Sequence, residues 1–97
     1  MELSVEAGNV VVRPNENLVG ENNFELRSLL IDALGENTEV MIDMSDVEII
    51  DSCGISIIVA AYNSLKSKGL PLVLSDCSED IKTLFKVMRL DKHLTIR

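Results

Sequence analysis

The sequence predicts one small α/β domain, residues 1–97, built on a mixed and mostly parallel sheet with helices packed on one side. Apolar residues switch repeatedly between a two-residue and a helical period. After an opening pair of strands, helix-type and strand-type segments alternate, which gives the order β-β-α-β-α-β-α-β. Right-handed β-α-β crossovers then make most of the sheet parallel. At 97 residues, 46% of them hydrophobic, there is material for one core and one domain; a chain of this size buries about 60–65% of the surface its unfolded form exposes.

Leu3–Glu6 alternates apolar and polar, and Asn9–Val12 follows after Ala7-Gly8, so the two read as a hairpin with Gly8-Asn9 as turn material. Arg13-Pro14-Asn15-Glu16-Asn17 breaks the pattern into a loop. Phe24, Leu26, Leu29, Leu30, Ala33 and Leu34 recur at helical spacing, predicting a helix over 22–34 that Asn22 or Asn23 caps and Gly35 ends. Thr38–Met44 reads as a strand buried on both faces. Ser45–Asp51 is a loop with three apolar anchors, Val47, Ile49 and Ile50. A second helix runs from Gly54 to Lys68, apolar nearly all round in its first half, and Gly69 stops it. Leu70–Leu74 is a short strand, Ser75–Ser78 a loop that can cap a third helix over Glu79–Met88, with Ser78 followed by the first-turn acids Glu79 and Asp80, and Leu94–Arg97 a last strand.

Composition narrows the function. The net charge is −7, and the nine Lys and Arg are scattered or near the C-terminus, so the concentrated basic face of a nucleic-acid binder is missing. Phe24, Tyr62 and Phe85 are the only aromatics, too few for a single-strand stacking platform. No apolar run approaches the ~20 residues of a membrane span, and the N-terminus lacks the pattern of a secretory signal. A soluble, cytoplasmic protein with no membrane partner is expected. Cys53, Cys77 and the lone His93 do not form a metal-ligand pattern, so no metal or cofactor is expected. Met41, Met44 and Met88 read as core filler.

The informative stretch is Ile42–Ile55, which passes from a strand through a short loop into the most apolar helix. Ser52 falls at or just before that helix start. A serine there is ordinarily an N-cap, worth roughly 1 kcal/mol. A phosphoryl group at the same place would meet free first-turn N–H groups and the positive end of the helix dipole. It would also set about −1.5 to −2 charges beside Asp51 and Asp46, against any docked partner. Gly54 permits close backbone approach.

Asp43-Met44-Ser45-x-Val47-x-x-Ile50-Asp51-Ser52-x-Gly54-Ile55 resembles the signature of STAS domains, and especially of bacterial anti-sigma factor antagonists. The strand around Gly69-Leu70-Pro71-Leu72-Val73-Leu74 and the helix carrying Ile81, Leu84, Phe85, Met88 and Leu90 are similar to their family counterparts, so the likeness spans nearly the whole chain. The resemblance implies that Ser52 is phosphorylated by a serine kinase of the histidine-kinase-like ATPase type that doubles as the anti-sigma factor, and that a PP2C-type phosphatase reverses the mark. Unphosphorylated, the domain would bind the kinase; phosphorylated, it would let go. Asp46, Asp51, Ser52, Cys53, Gly54, Ile55 and Val19 would form the partner-binding surface. Val19 stands where relatives often carry an Asp, and Cys53 replaces a frequent Ser or Thr. The chain stops at Arg97, where relatives commonly add a helix, so a homodimer or an obligate partner would cover the exposed flank.

Two rivals are weaker. Cys53 at a helix N-terminus could be a nucleophile, but the arginine a phosphatase-type loop needs six residues later is Val59, and His93 is remote. Asp43, Asp46 and Asp51 lack the other residues of a receiver-type site, and Gly35-Glu36-Asn37-Thr38 lacks the lysine and second glycine of a P-loop. Within the family, a constitutive STAS subunit of a transport or stressosome-like assembly is the other reading. The chain is expected not to be an enzyme.

Overall fold

A computed structural model describes the whole chain, Met1–Arg97. Strands β1 (Glu2–Glu6) and β2 (Asn9–Arg13) form an antiparallel hairpin. Helix α1 (Asn22–Leu34), strand β3 (Val40–Asp43), helix α2 (Ser52–Lys66), strand β4 (Leu72–Ser75), helix α3 (Glu79–Val87), a 3-10 turn (Leu90–Lys92) and strand β5 (Thr95–Ile96) follow. The sheet order is β1-β2-β3-β4-β5, and every pair after the hairpin is parallel. The predicted fold class and element order are thus observed, with the 3-10 turn added.

Strand alternation decides where the core lies. Val10, Val12, Val40, Ile42, Leu72 and Leu74 point to one face and join a single cluster with Leu26 and Leu30 of α1, Ile58 and Leu65 of α2, and Ile81 and Phe85 of α3. All three helices therefore cover the same face. The opposite face carries Val11, Met41 and Val73 in register. Arg13 serves this face from β2: it pairs with Glu6 at 2.6 Å, donates to Ser4 Oγ at 3.0 Å and approaches Asp43 at 3.5 Å. With no helix on that side, β3 is not buried on both faces: Val40 and Ile42 are buried, whereas Met41 and Asp43 are half-buried.

Several local expectations are corrected. The hairpin turn is Ala7-Gly8, both at positive φ (53° and 82°), as a two-residue turn matched to strand twist requires. Helix α1 is preceded by Glu21, which makes no side-chain cap. Asn22 instead donates to the Asn17 carbonyl, and Asn23 turns inward toward Asp51. Lys68 reaches the far end of α1, donating to the Leu34 carbonyl and to Asn37 Oδ1. Phe24, Ile49 and Met88 are exposed by 76%, 58% and 44%; each faces away from the layer that its neighbours fill. Helix α2 begins and ends two residues earlier than predicted, with Gly69 at φ +71° beyond its end. Ser78 does cap α3, accepting from the Ile81 N–H at 3.2 Å.

Candidate functional site

Two loops are joined where α2 begins. In the first, β3 hands over to Met44, whose N–H bonds the Ser75 carbonyl (2.8 Å), and Val47 closes a turn onto the Met44 carbonyl (3.0 Å). Burial of Val47 and Ile50 pins this loop to the core. In the second, Leu18 pairs with Ile50 as an isolated parallel bridge. The Leu18 N–H donates to the Ile49 carbonyl and the Asp51 N–H to the Leu18 carbonyl, both at 3.0 Å. Asn17 adds its Oδ1 as acceptor for the N–H groups of Glu48 (2.8 Å) and Ile49 (3.0 Å).

Asp51 is the centre of the junction. Its backbone is extended (φ −93°, ψ 177°), the conformation that lets a residue cap the helix it precedes. Oδ1 accepts from the Gly54 N–H and from Asn23 Nδ2, and Oδ2 from the Gly20 N–H, all at 2.9 Å. One carboxylate thus ties together the start of α2, the start of α1 and the loop between β2 and α1. The N–H groups of Gly54 and Gly20, with Asn23 and the Cys53 N–H, hold its carboxyl below the usual carboxylate range against the opposing effect of burial.

Ser52 is therefore not the cap. It is the first residue of α2, exposed, and its hydroxyl makes no hydrogen bond within the chain; only its carbonyl is used, accepting from Ser56 Oγ at 2.9 Å. The expectation that a phosphoryl group would find the first-turn N–H groups unoccupied is corrected too, because Asp51 already takes the Gly54 N–H.

Gly54 has a steric reason. A Cβ there would stand 2.9 Å from Ile50 Cγ1, 2.9 Å from the Leu18 carbonyl oxygen and 3.0 Å from Asn23 Oδ1. The loop between β2 and α1 lies directly against α2 at this point, and only a glycine admits it.

Of the residues singled out from sequence, Val19, Asp51, Ser52, Cys53 and Gly54 come together at this junction. Val19 is half-buried beside Leu18, and its carbonyl accepts from the Asn22 N–H. Cys53 is exposed, whereas Gly54 and Ile55 are buried and support the junction from beneath. Asp46 is exposed in the turn after Met44 and shares no hydrogen bond or ion pair with Asp51 or its partners. Asp43 lies on the open face near Arg13. Asn17, Gly20 and Asn23 were missed. Asn23 is 1% exposed, and its only sequence signal, a polar residue within an otherwise core-facing spacing, is the same signal that a helix cap produces.

Cys77 is buried, and burial pushes its thiol up to about 11. His93 is exposed, its ring 5.9 Å from that of Tyr62. No group of His, Cys, Asp and Glu is placed to hold a metal ion, and no helix is long and apolar enough to cross a membrane.

Solved structures share this architecture. A Thermotoga maritima protein assigned as an anti-sigma factor antagonist superposes with a TM-score of 0.89 at 28% identity, over 98% of this chain and 83% of that one. A STAS domain protein from Planctomyces limnophilus gives 0.82 at 19% identity, over 98% and 86%. The phosphorylated form of the Bacillus cell fate determinant SpoIIAA gives 0.76 at 17% identity, over 99% and 89%; at such identities the likeness is one of fold. The STAS domain model matches residues 1–97, and with the five-stranded mixed sheet and its one-sided helices this places the chain in the STAS domain family.

Proposed function

We propose that this chain is a partner-switching regulator of the anti-sigma factor antagonist type, with Ser52 as its phosphorylation site. The observation that carries the reading is the free, exposed Ser52 hydroxyl in the first turn of α2, next to an Asp51 that performs the capping. A serine needed for the fold would be occupied; this one is available to a kinase. Asp51 keeps its charge through the N–H groups that it accepts, so a phosphoryl group on Ser52 would add about −1.5 to −2 charges next to an ionised carboxylate. A partner seated there would have to desolvate both. The fold would survive, since no hydrogen bond of the junction uses the Ser52 hydroxyl.

In this reading the unphosphorylated chain binds an anti-sigma factor that is also a serine kinase of the histidine-kinase-like ATPase type. Phosphorylation releases that partner, and a PP2C-type phosphatase resets the switch. The protein turns over no substrate of its own. Ile49, 58% exposed in the loop before Asp51, supplies apolar contact beside the polar centre.

The test is intact mass of the protein from its native cells across growth conditions, with the modified residue mapped by fragmentation. One phosphoryl group on Ser52, absent from Ser52→Ala, together with a kinase retained by the unmodified chain and lost by the modified one, supports the switch. A chain never modified under any condition would overturn it and leave a constitutive binding subunit.

A further inference from the structure

We propose that the groove between α1 and α2 is a second docking site, separate from the phosphorylation switch, which receives an amphipathic helix of a partner protein with a carboxylate set against Arg27. The groove encloses about 200 Å³ and is lined by Arg27, Ile31 and Leu34 from α1 and Ile57, Ala60 and Ser64 from α2. Ile31 is 58% exposed, and Phe24, seven residues earlier on the same flank of α1, is 76% exposed. On α2 the facing flank runs through Ile57, Ala60 and Ser64, spaced three and four apart. These are mostly small side chains, which let a third helix approach closely. Apolar anchors at one and two turns' spacing are what a helix in a groove engages.

Charge identifies the occupant. Twelve of the sixteen carboxylates lie before Lys66, against only two basic residues, Arg13 and Arg27. Arg13 is tied to Glu6 and Asp43. Arg27 has no ion pair or hydrogen bond, and none of the twelve carboxylates lines the groove. A lone unpaired guanidinium within an apolar strip, on an otherwise acidic half, suits a helix carrying an Asp or Glu at the edge of its apolar face. A second copy fits less well, because a two-fold contact through this flank brings the same residues from both sides, and the lining offers no carboxylate to meet either Arg27.

The groove is set apart from Ser52 along the axis of α2. At about 1.5 Å of rise per residue, Ile57, Ala60 and Ser64 stand roughly 7, 12 and 18 Å beyond Ser52 along α2, and neither Ser52 nor Ser56 lines the groove. Docking here therefore survives phosphorylation and would keep a partner tethered while the switch opens.

The experiment is selection from a displayed library of amphipathic helices about four turns long, against the native chain with Ile31→Asp as counter-target. Enriched helices are expected to carry apolar residues at i, i+3 or i+4, and i+7 with an adjacent acid. They should shift the amides of Arg27–Leu34 and Ile57–Ser64 and retain binding to Ser52→Asp. Binding should weaken by about tenfold or more in Ile31→Asp and in Ala60→Arg. Both positions are exposed, so circular dichroism should show these variants folded. Arg27→Glu should switch the preference from acidic to basic helices. Failure to enrich, amide shifts elsewhere, or an unchanged charge preference in Arg27→Glu would overturn the proposal. So would a native dimer in sedimentation that Ile31→Asp dissolves, since the occupant would then be a second copy.

Discussion

Replacing Gly54 with alanine adds one methyl group where two loops and a helix meet, and its cost can be worked from the contacts. Two of the three nearest atoms would lie at 2.9 Å and the third at 3.0 Å, several tenths of an ångström inside ordinary contact. None can withdraw freely. The Leu18 carbonyl is held by the Asp51 N–H at 3.0 Å, and Asn23 by Asp51 Oδ1 at 2.9 Å. Ile50 is 8% exposed and packed in the core. Overpacking of this kind costs about 1–3 kcal/mol, and the better helix propensity of alanine returns up to about 1 kcal/mol. The expected net loss is about 1–2 kcal/mol, or a Tm lower by roughly 5–15 °C for a domain of this size. Urea unfolding measures the loss, and hydrogen exchange locates it: the Gly20 and Asp51 amides should exchange faster in Gly54→Ala, while those of β3 and β4 change only by the global difference. A variant as stable as the native chain, with the Gly20 and Asp51 amides still protected, would refute the claim that loop and helix are in forced contact.

Three further outcomes follow from the same structure. Because its folded-state value is depressed, Asp51 stabilises the fold above the ordinary aspartate value near 3.8 and loses that contribution as pH falls through the lower folded value; the urea midpoint should drop below about pH 4, less steeply in Asp51→Asn. The two thiols should react unequally, Cys53 at once with a disulfide reagent at pH 8 and Cys77 only on unfolding, since burial holds the Cys77 thiol protonated to about 11; two equal fast phases would contradict the burial of Cys77. Ala7 occupies the left-handed region at φ 53°, so Ala7→Asn should raise stability by about 0.5–1 kcal/mol in urea unfolding, and a loss would show that the turn is not the strained element.

The open side of the sheet bears on how the domain behaves. Val11 and Val73 are 6% and 2% exposed although no helix covers them. Arg13 with its partners Glu6, Ser4 and Asp43 lies on the same face. The exposed apolar surface lies mainly elsewhere, at Phe24 and Ile31 on α1 and at Ile49 before α2, near the two places where partners are proposed to dock.

By itself the sequence determined the order of elements, the bounds of α1, the cap of α3 and the segment on which the candidate site lies. These rest on local signals: the period of apolar residues, a serine before two acids, a glycine after a run. Only the tertiary structure decided that Asp51, and not Ser52, caps α2, because the choice depends on Gly20 and Asn23, which lie 31 and 28 residues away in the chain. Asn23 could not be told from an α1 cap by spacing, since capping and inward bonding both place a polar residue at a helix start. Phe24 and Ile49 carry apolar side chains that the local pattern assigns to the core, and their exposure follows from which flank of each element the neighbouring layer covers. Periodicity records how a segment alternates; what stands within 3 Å of a given atom is decided by distant parts of the chain, and that contact freed the hydroxyl of Ser52.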